Sequence, residues 1–424
     1  MPHPGQTSSA RQKLIEHVHA NRECLVDMTA RLVRVPSENP PGDTSAIAAL
    51  AAELLAAEGV KVEVVTSEAP IVNVVARVRG TRPGRRLVYN GHLDTYPVGD
   101  PSRWSVNPWC GTVRDGRLYG RGAVDMKGGI ACSIQAFLLL AKMRDTWAGE
   151  VVVTLAGDEE TMGTRGTHFL LERFEYARGD AMITGDAGSP EVLRFGEKGM
   201  LWLEIDARGK GAHGAHVHLG ANAVERLMAA LAEVFALRNT LVHIPADVEE
   251  AIWAASKVSE EISGVGETHT LRHVTVNCGL FRGGTLTNVM PEEARATLDI
   301  RLPAGTTSTE VEARLAAALA AHEGVSYRVV RRYEPQWSDP RHEVVGLLTK
   351  AGEEILGRRP VANYRVGASD ARLYRQWGVP AFVCGLTPNN MGAADEFVDL
   401  QELFAVAYMH SVAGFDYLAG AGPS

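Results

Sequence analysis

The chain has 424 residues, which is too long for one ordinary hydrophobic core and favours two domains. Apolar residues make up 45% of the chain and charged residues 22%, as in ordinary globular proteins. The net charge of −8, without any basic cluster that has interleaved aromatic residues, argues against nucleic acid as a partner.

The cysteines and the apolar runs indicate the cellular location of the protein. Five cysteines are scattered along the chain without a CxxC pair, which favours a reduced, cytoplasmic protein. The first residues lack an apolar core of the kind that a secretory signal needs. The richest apolar stretch, AIAALAAELLAAEG, contains two glutamates and is too short to span a bilayer. We therefore expect no membrane among the partners.

The first part of the chain alternates helices with β-branched strands. Apolar residues at helical spacing predict helices over residues 14–32 and 44–58. Strands are predicted at KVEVV, IVNVVARV and RRLVYN, followed by a helix over 128–142 and the buried strand EVVVTLAG. A helix over 167–174 and the strand DAMITGD complete this part. Such alternation predicts an α/β/α domain with a mixed sheet between helices.

The pattern changes near residue 199. The next predicted elements are strand, helix, two strands, helix and strand: MLWLEIDARG, NAVERLMAALAEVFAL, HVTVNCGLF, EARATLDIRL, STEVEARLAAALAAH and VSYRVVRRY. This βαββαβ order forms a small ferredoxin-like sheet covered by two helices. Helices over 343–356 and 400–418 and the strand PAFVCG then return to the first pattern. We predict a catalytic domain of residues 1–198 plus 335–424, with a dimerisation or lid domain, residues 199–334, inserted into it.

One stretch of the predicted insertion differs from its neighbours. Residues 239–269 are polar and irregular around SKVSEEISGVGETHT. Polar segments between periodic ones are usually loops. We expect an extra loop near the substrate entrance at this position.

Three apolar runs each lead to side chains that bind metals. His92 and Asp94 follow RRLVYN, Asp125 lies in the glycine-rich GRGAVDMKGG, and Glu159 and Glu160 end VVVTLAG. The carboxyl ends of strands in an α/β sheet meet at one edge, where a rigid metal site can form. Asp94 could accept the second ring N–H of His92. One of the paired glutamates could bind metal while the other accepts a proton from water.

Each of these motifs has a simpler explanation when it is taken alone. The HxD pair can lie in a surface turn, Asp125 can cap the following helix, and the DEE sequence can form a solvated turn. Asp186, in TGDAGSP after another strand, is either a fourth candidate acid or the first residue of an Asx turn. The joint occurrence of these motifs in this order favours a hydrolytic metal site.

In combination, GHLDT, LYGRGAVDMKGG and GDEETMG resemble a known family. It is the zinc metallopeptidase and deacylase family of acetylornithine deacetylase, succinyl-diaminopimelate desuccinylase, aminoacylase and glutamate carboxypeptidase. The resemblance extends over residues 20–415. It implies a metal-dependent amidohydrolase that cleaves an amide or peptide bond next to a free carboxylate. N-acyl amino acid deacylase, dipeptidase and carboxypeptidase activities all remain open.

The resemblance also implies the roles of individual residues. It implies two zinc ions per subunit, replaceable by cobalt or manganese, and four protein ligands: His92, Asp125, Glu160 and Asp186. Asp125 would bridge the two ions, Glu159 would be the general base, and Asp94 would orient His92. The family usually has a cis peptide after the bridging aspartate, here between Asp125 and Met126.

Further residues are implied in the second half of the chain. GKGAHGAHVHLGANAV resembles a segment in which a histidine, here His213, reaches the partner's active site in a homodimer and stabilises the oxyanion. TLTNVMPEEARATLDIRLP would provide Asn288 and Arg301 as substrate-binding residues. The segment VGASDARLY, with Gly367 and Ser369, resembles a loop that closes over the substrate carboxylate.

One position departs from the family pattern. The last metal ligand of the family is commonly a histidine four residues before a glutamate near the C-terminus. That glutamate matches Glu396 in NNMGAADEFVD, and the position four residues earlier is Gly392. Asn389 or Asn390 could offer an amide oxygen instead, a poorer zinc ligand than imidazole. The second metal site is thus weak, empty, completed by water or built differently.

Two other functions follow from single features of the sequence. The missing histidine suggests a metal-depleted protein that binds peptides or acyl amino acids without cleaving them. GKGAHG also fits the GxGxxG fingerprint of nicotinamide-dependent oxidoreductases, but the next predicted helix begins about ten residues too late for that fold. The ordered metal-binding motifs favour the hydrolase over both.

Overall fold

A computed structural model describes residues 4–420 of the chain. The strands are, in chain order, β1 (Val62–Glu68), β2 (Ile71–Arg79), β3 (Arg86–His92), β4 (Thr112–Arg114), β5 (Arg117–Tyr119), β6 (Glu150–Ala156), β7 (Ala181–Thr184), β8 (Val192–Glu197), β9 (Gly199–Arg208), β10 (Thr275–Gly283), β11 (Glu293–Leu302), β12 (Val325–Tyr333), β13 (Gln336–Trp337), β14 (Val361–Arg365), β15 (Ala381–Val383) and β16 (Phe397–Asp399). The helices are α1 (Pro4–Ala20), α2 (Arg22–Val33), α3 (Ser45–Leu55), α4 (Gly128–Lys142), α5 (Thr167–Arg173), α6 (Ala223–Phe235), α7 (Ala246–Ser263), α8 (Glu267–Arg272), α9 (Ser308–Leu319), α10 (Glu343–Leu356), α11 (Ala371–Gln376) and α12 (Leu400–Ala419).

The large sheet is mixed. Its strand order is β1-β2-β6-β3-β7-β15-β8-β13, and β14 also pairs with β8. Strand β3 runs parallel to β6 and β7, whereas β1 and β2 add an antiparallel edge. All seven residues of β6 are buried, because one face of the sheet packs on α4 and α12 and the other on α5 and α11. The predicted mixed α/β class is confirmed.

Helix α4 is the central helix of this domain. It begins and ends at the residues that the sequence predicts, and only Leu138 and Lys142 are not buried. The segment Ala123–Lys142 has the length and apolar composition of a membrane span, yet 89% of its apolar 18-residue window is buried inside the protein. Helix α12 packs along α4 over its length. The apolar character of α4 is therefore explained by its place in the core.

The second sheet has four antiparallel strands in the order β10-β11-β9-β12. Helices α6 and α9 cover one face, where their leucines and valines meet the inward residues of the strands. Residues Thr307 and Glu310 form a capping box at the start of α9. Apart from α7 and α8, which lie between α6 and β10, the elements follow the order βαββαβ, consistent with the ferredoxin-like arrangement that the sequence predicts.

The prediction of an irregular loop over residues 239–269 is wrong. Helices α7 and α8 occupy most of this stretch, and α7 packs on β14 and β8 of the large sheet. The buried stripe of α7 consists of Val248, Ile252, Ala255 and Ser259. Half of that stripe is small or polar, so the helical period is weak in the sequence.

The sheet brings the metal-binding motifs together. In the parallel register His92 lies beside Ala156, the last residue of β6, so the GHLDT and GDEE turns leave the sheet side by side. The backbone of the first turn of α4 lies against the loop after β7. The approach is so close that a Cβ atom added to Gly129 would lie 2.1 Å from the carbonyl oxygen of Gly185. Glycine at both positions permits this approach and brings Asp125 to the edge where Asp186 lies.

Candidate metal centre

Three predicted ligands come together at the carboxyl edge of the large sheet. The ligand atoms of His92, Asp125 and Glu160 lie within 4.8 Å of one another. His92 Nε2 is 3.1 Å from Asp125 Oδ1. We call these three residues the metal-ligand cluster. One imidazole and two carboxylates at this spacing match the nitrogen and oxygen ligands of a zinc site.

His92 is oriented by main-chain rather than side-chain contact. Its Nδ1 lies 2.9 Å from the carbonyl oxygen of Asp94, whereas the Asp94 carboxylate is 3.6 Å away. A carbonyl oxygen only accepts, so Nδ1 donates its proton to Asp94, and Nε2 is the ring nitrogen that faces Asp125. The predicted contact of His92 with the Asp94 side chain is therefore replaced by one with the Asp94 backbone.

The Asp94 carboxylate has a different partner, the turn after β6. Oδ1 accepts a hydrogen bond from the backbone N–H of Glu159, and Oδ2 accepts one from that of Glu160, both at 3.1 Å. The side-chain amide of Asn39 donates a third, at 2.9 Å. Asp94 thus joins the two motifs that carry the histidine and the paired glutamates.

The acidic groups are crowded and poorly solvated. Burial and, to a smaller extent, the nearby charge of Asp125 together raise the pKa of Glu160 to about 11. Burial also raises the pKa of Glu159 well above its usual range. Glu160 Oε1 is buried and has no hydrogen-bond partner among residues 4–420. A cation at the cluster would stabilise these carboxylates as anions, so the residues present fit a metal ion.

Glu159 lies beside the cluster and faces an arginine. Its Oε1 is 3.8 Å from Nη1 of Arg372. The guanidinium donates to the backbone carbonyls of Ser369 and Met162, at 2.6 and 2.7 Å. These bonds fix a positive charge near Glu159 while leaving that carboxylate without a short ion pair.

Asp186 lies next to the cluster but is not one of the three gathered ligands. Its carboxylate faces the Arg365 guanidinium at 3.3 and 3.4 Å. Burial raises the pKa of Asp186, the guanidinium opposes this, and the charge of Asp125 raises it again. Asp186 is therefore close enough to the cluster for the charge of Asp125 to change its pKa.

The backbone of Asp125 is held by the C-terminal segment. The peptide bond between Asp125 and Met126 is cis, as the family resemblance implies. Glu396 Oε1 accepts hydrogen bonds from the backbone N–H groups of Val124 and Asp125, at 3.0 and 3.3 Å. Its other oxygen pairs with Arg121 at 2.5 Å, and both side chains are 1% exposed. Glu396 thus holds the backbone of Asp125, the residue for which the family resemblance implies a bridging role.

The segment where the sequence lacks the last histidine lies near the surface. Gly392 is exposed, with φ +74° and no neighbouring atom within 4 Å of a Cβ position. The side-chain amide of Asn390 donates to the carbonyl of Asp395, and Asn389 is half-buried. The amide nitrogen of Asn390 is thus engaged within this surface segment.

Predicted substrate residues lie in two places. Ser369 is buried, and its N–H and hydroxyl both donate to Glu197, at 3.0 and 2.6 Å. Gly367 is partly exposed two residues earlier. Arg301 lies at the end of β11, where Asp299 holds its Nε at 2.7 Å. The hydroxyl of Ser369 is therefore already engaged within the protein.

His213 lies on an exposed loop, residues 209–220, which we call the histidine loop. It forms an isolated bridge with Val289, and the carbonyl of Asn288 accepts from Gly214. His213 also borders a cavity of about 930 Å³ on the four-stranded sheet. No hydrogen bond or ion pair within the described residues joins His213, Asn288 or Arg301 to the metal-ligand cluster.

Residues 88–413 match Peptidase family M20/M25/M40. The chain belongs to this family. Members of the family hydrolyse peptide or amide bonds, so the predicted hydrolase and the family resemblance are confirmed.

Known relatives support the same assignment. A succinyl-diaminopimelate desuccinylase from Paracoccus denitrificans (strain Pd 1222) is 30% identical over 394 residues, which cover 90% of this chain and 95% of the relative. An M20 family metallo-carboxypeptidase from Sulfolobus solfataricus has a TM-score of 0.77 at 19% identity and covers 93% of this chain and 99% of its own. Human carnosine dipeptidase 1 has a TM-score of 0.76 at 17% identity, covering 96% and 98%. The two solved structures share the fold.

Sequence reasoning missed several residues of this M20 site. Arg121, Arg365 and Arg372 lie in or beside the motifs GRGAVD and VGASDARLY, but arginines in proteins are mostly exposed, so the sequence does not indicate that these three are buried. Tyr96, two residues after Asp94, faces the carboxylates. Glu160 and burial both raise the pKa of its phenol. Spacing alone does not distinguish these residues from surface positions.

Proposed function

We propose that the protein hydrolyses the amide or peptide bond of a small N-acyl amino acid or peptide that carries a free carboxylate, with zinc as its metal. Family membership makes it a metal-dependent hydrolase of amide or peptide bonds. The observation that carries the finer proposal is the metal-ligand cluster with Glu159 beside it. The desuccinylase named among the relatives supports an N-acyl amino acid as substrate.

The metal would be held by His92, Asp125 and Glu160, with Asp186 as a further ligand and Asp125 as the bridge between two ions. Mixed imidazole and carboxylate ligands suit zinc, and cobalt or manganese can occupy such sites. A bound divalent ion supplies a Lewis acid for the amide carbonyl and acidifies water at the site. Glu396 holds the Asp125 backbone, and this outer contact supports the bridging position.

Glu159 would be the general base. Its carboxylate lies at the edge of the cluster and would take a proton from the attacking water, then deliver it to the leaving amine nitrogen. Burial raises its pKa, and the positive charges of His92 and Arg372 oppose this shift. Asp94 anchors the Glu159 backbone and therefore keeps the base in register with His92.

We further propose that the protein acts as a homodimer through the four-stranded sheet. Strand β10 is at the edge of that sheet and exposes Leu280 and Phe281 by 53% and 42%. Val217 and Leu286, on the neighbouring loops, are each 66% exposed. An unprotected edge strand flanked by apolar side chains supports pairing with a second copy.

His213 would complete the partner's site. Its Nδ1 accepts a hydrogen bond from the backbone N–H of Ala215 at 3.2 Å. That bond keeps the single ring proton on Nε2, which then points outward as a donor suited to an oxyanion. Asn288 lies beside it on the same surface and would bind substrate from the partner subunit, together with Arg301.

The loop that contains Gly367 and Ser369 would close the substrate pocket. Ser369 is held by Glu197, so its contribution would be to fix the loop, whereas Gly367 would allow close approach of the substrate. A cytoplasmic location is supported by the cysteines, all five of which are free. A metal-depleted binding protein gains no support from the relatives, which are named as hydrolases.

A substrate panel tests this proposal. The protein would be stripped with a chelator, reloaded with zinc, cobalt or manganese, and assayed against N-acyl amino acids, dipeptides and longer peptides. We expect hydrolysis that depends on added metal and prefers substrates with a free carboxylate. A protein that binds metal at the cluster yet cleaves none of these compounds would contradict the proposal.

A further inference from the structure

Arg365 is the last residue of β14 and lies two positions before the VGASD motif. Its side chain is 14% exposed and faces Asp186, with Nη1 3.3 Å from Oδ2 and Nη2 3.4 Å from Oδ1. Bonds between ionised partners are typically about 2.7–2.9 Å long. The pair is therefore loose, although both groups are largely buried.

The guanidinium of Arg365 is also short of acceptors. Within residues 4–420 its Nη1 is a buried nitrogen without a hydrogen-bond partner. The hydrogen bond from Nη2 to Asp186 is the one that these residues provide. A buried donor without an acceptor is costly, so a group of this kind calls for a partner from outside the chain.

Other buried arginines of the same domain differ from Arg365. Each of them donates from both terminal nitrogens, at least one of which bonds to a backbone carbonyl. These arginines are Arg121, Arg194, Arg372 and Arg375. They stabilise loops and strand ends, whereas the Arg365 side chain donates to no backbone carbonyl among the described residues and leaves Nη1 without an acceptor beside the site.

The surroundings of Arg365 define the ligand that would fit. The guanidinium is planar, permanently charged and matched to the two oxygens of a carboxylate. It forms an ion pair with Asp186, which lies beside the metal-ligand cluster. A carboxylate bound to Arg365 would therefore lie close to a carbonyl placed at the cluster, as in a substrate whose carboxylate neighbours the cleaved bond.

We propose that Arg365 is a specificity-determining residue that binds the free carboxylate of the substrate. This inference rests on the proposed function and adds one residue and one selection rule to it. Substrates whose carboxylate is blocked as an amide would lose this contact. Arg301, on the four-stranded sheet, already has both Nε and Nη2 on Asp299, and it is the natural comparison.

The test compares each acid with its amide. The N-acetyl amino acid that the wild type hydrolyses fastest and its C-terminal carboxamide would be assayed with the wild type, Arg365→Gln and Arg365→Lys. Loss of a charge-assisted contact should lower kcat/KM for the acid about 10–100-fold in Arg365→Gln, mainly through KM. The amide should change less than about threefold, and Arg365→Lys should recover part of the loss. Arg358→Gln, an exposed arginine paired with Glu191, is the matched control.

A second readout separates specificity from support of the metal site. Metal content would be measured in every variant, and binding of the same acid would be followed by calorimetry in a Glu159→Gln background. We expect unchanged metal content and weaker binding when Arg365→Gln is added. If Arg365 only holds Asp186, metal content falls and both substrates lose activity equally, which overturns the inference.

The proposed function can fail separately from this inference. If the wild type hydrolyses nothing, the proposed function fails, and calorimetry with N-acetyl-L-methionine still decides whether Arg365 binds a carboxylate. Equal affinity with and without Arg365→Gln, or no binding at all, would overturn the inference. Hydrolysis that keeps its acid-over-amide preference in Arg365→Gln would overturn it while leaving the proposed function intact.

Discussion

The metal-ligand cluster and the histidine loop are built in opposite ways. His92, Asp125 and Glu160 are nearly buried, and backbone contacts from distant segments fix the turns that carry them. His213, His216 and His218 are exposed on one loop, where the ring of His216 lies 5.8 Å from that of His213 and 6.1 Å from that of His218. The turns that carry the cluster are thus held by contacts within one chain, whereas the three histidines of the loop are open to solvent.

A similar contrast separates an ion pair beside the large sheet from one beside the four-stranded sheet. Arg194 and Glu267, which join β8 to α8, are 6% and 5% exposed at 3.1 Å. Arg226 and Glu323 on the four-stranded domain are 28% and 89% exposed at 3.0 Å. Similar distances in such different surroundings imply different contributions to stability, because a buried charge that loses its partner cannot be solvated.

The largest expected effect is on the free energy of unfolding, when the buried and the exposed ion pair are each broken. Glu267→Gln should lower the free energy of unfolding by about 3–5 kcal/mol, since it leaves the buried Arg194 charge without an anion. Glu323→Gln should change it by less than about 1 kcal/mol. Urea unfolding at neutral pH measures both. Equal losses in the two variants would show that burial does not distinguish the contributions of the two ion pairs.

Subunit exchange tests whether the histidine loop acts on a partner. His213→Gln should lower kcat about 10²–10³-fold, as loss of an oxyanion donor does, while metal content is unchanged. Mixing it with Glu159→Gln subunits should restore about a quarter of wild-type activity, because half of the dimers then contain one intact site. His218→Gln is the matched control on the same loop. No recovery despite proven exchange would rule out a shared site.

The buried histidine of α12 gives a pH test of the core. Burial lowers the pKa of His410 to about 4, and its ring contacts Ser133 and the carbonyl of Cys384. The unfolded chain takes up this proton near pH 6.5, so the stabilising contribution is complete above 6.5 and is lost as the pH falls toward 4. The loss is about 3 kcal/mol. His410→Gln should flatten the pH dependence of unfolding in this window, whereas the exposed His218→Gln should not.

Much of the fold could be predicted because strong periods coincide with burial. The bounds of α4, β11 and β12 match their patterns: nearly all of α4 is buried, and along β11 and β12 the more buried residues alternate with the less buried ones. Helix α7 was missed because alanine and serine occupy half of its buried stripe. Tertiary packing, rather than local sequence, makes that segment a helix on the large sheet.

The candidate metal ligands could be predicted from the sequence, but the groups that orient them and lie beside them could not. His92, Asp125 and Glu160 follow apolar runs, and the parallel register of the sheet brings them together. The use of the Asp94 backbone to orient His92 and the free donors of Arg365 depend on distances that spacing does not encode. Both features depend on how groups from separate segments of the chain pack together.

The central claim is that His92, Asp125 and Glu160 hold the metal while Glu159 moves the proton. It is tested most directly by metal content and turnover in Glu159→Gln and Glu160→Gln, two isosteric changes at adjacent positions. We expect Glu159→Gln to keep its metal and lose about 10²–10⁴-fold in kcat, because only the proton acceptor is removed. Glu160→Gln should lose bound metal as well as activity. Full turnover in Glu159→Gln, or metal loss in that variant but not in Glu160→Gln, would contradict the account.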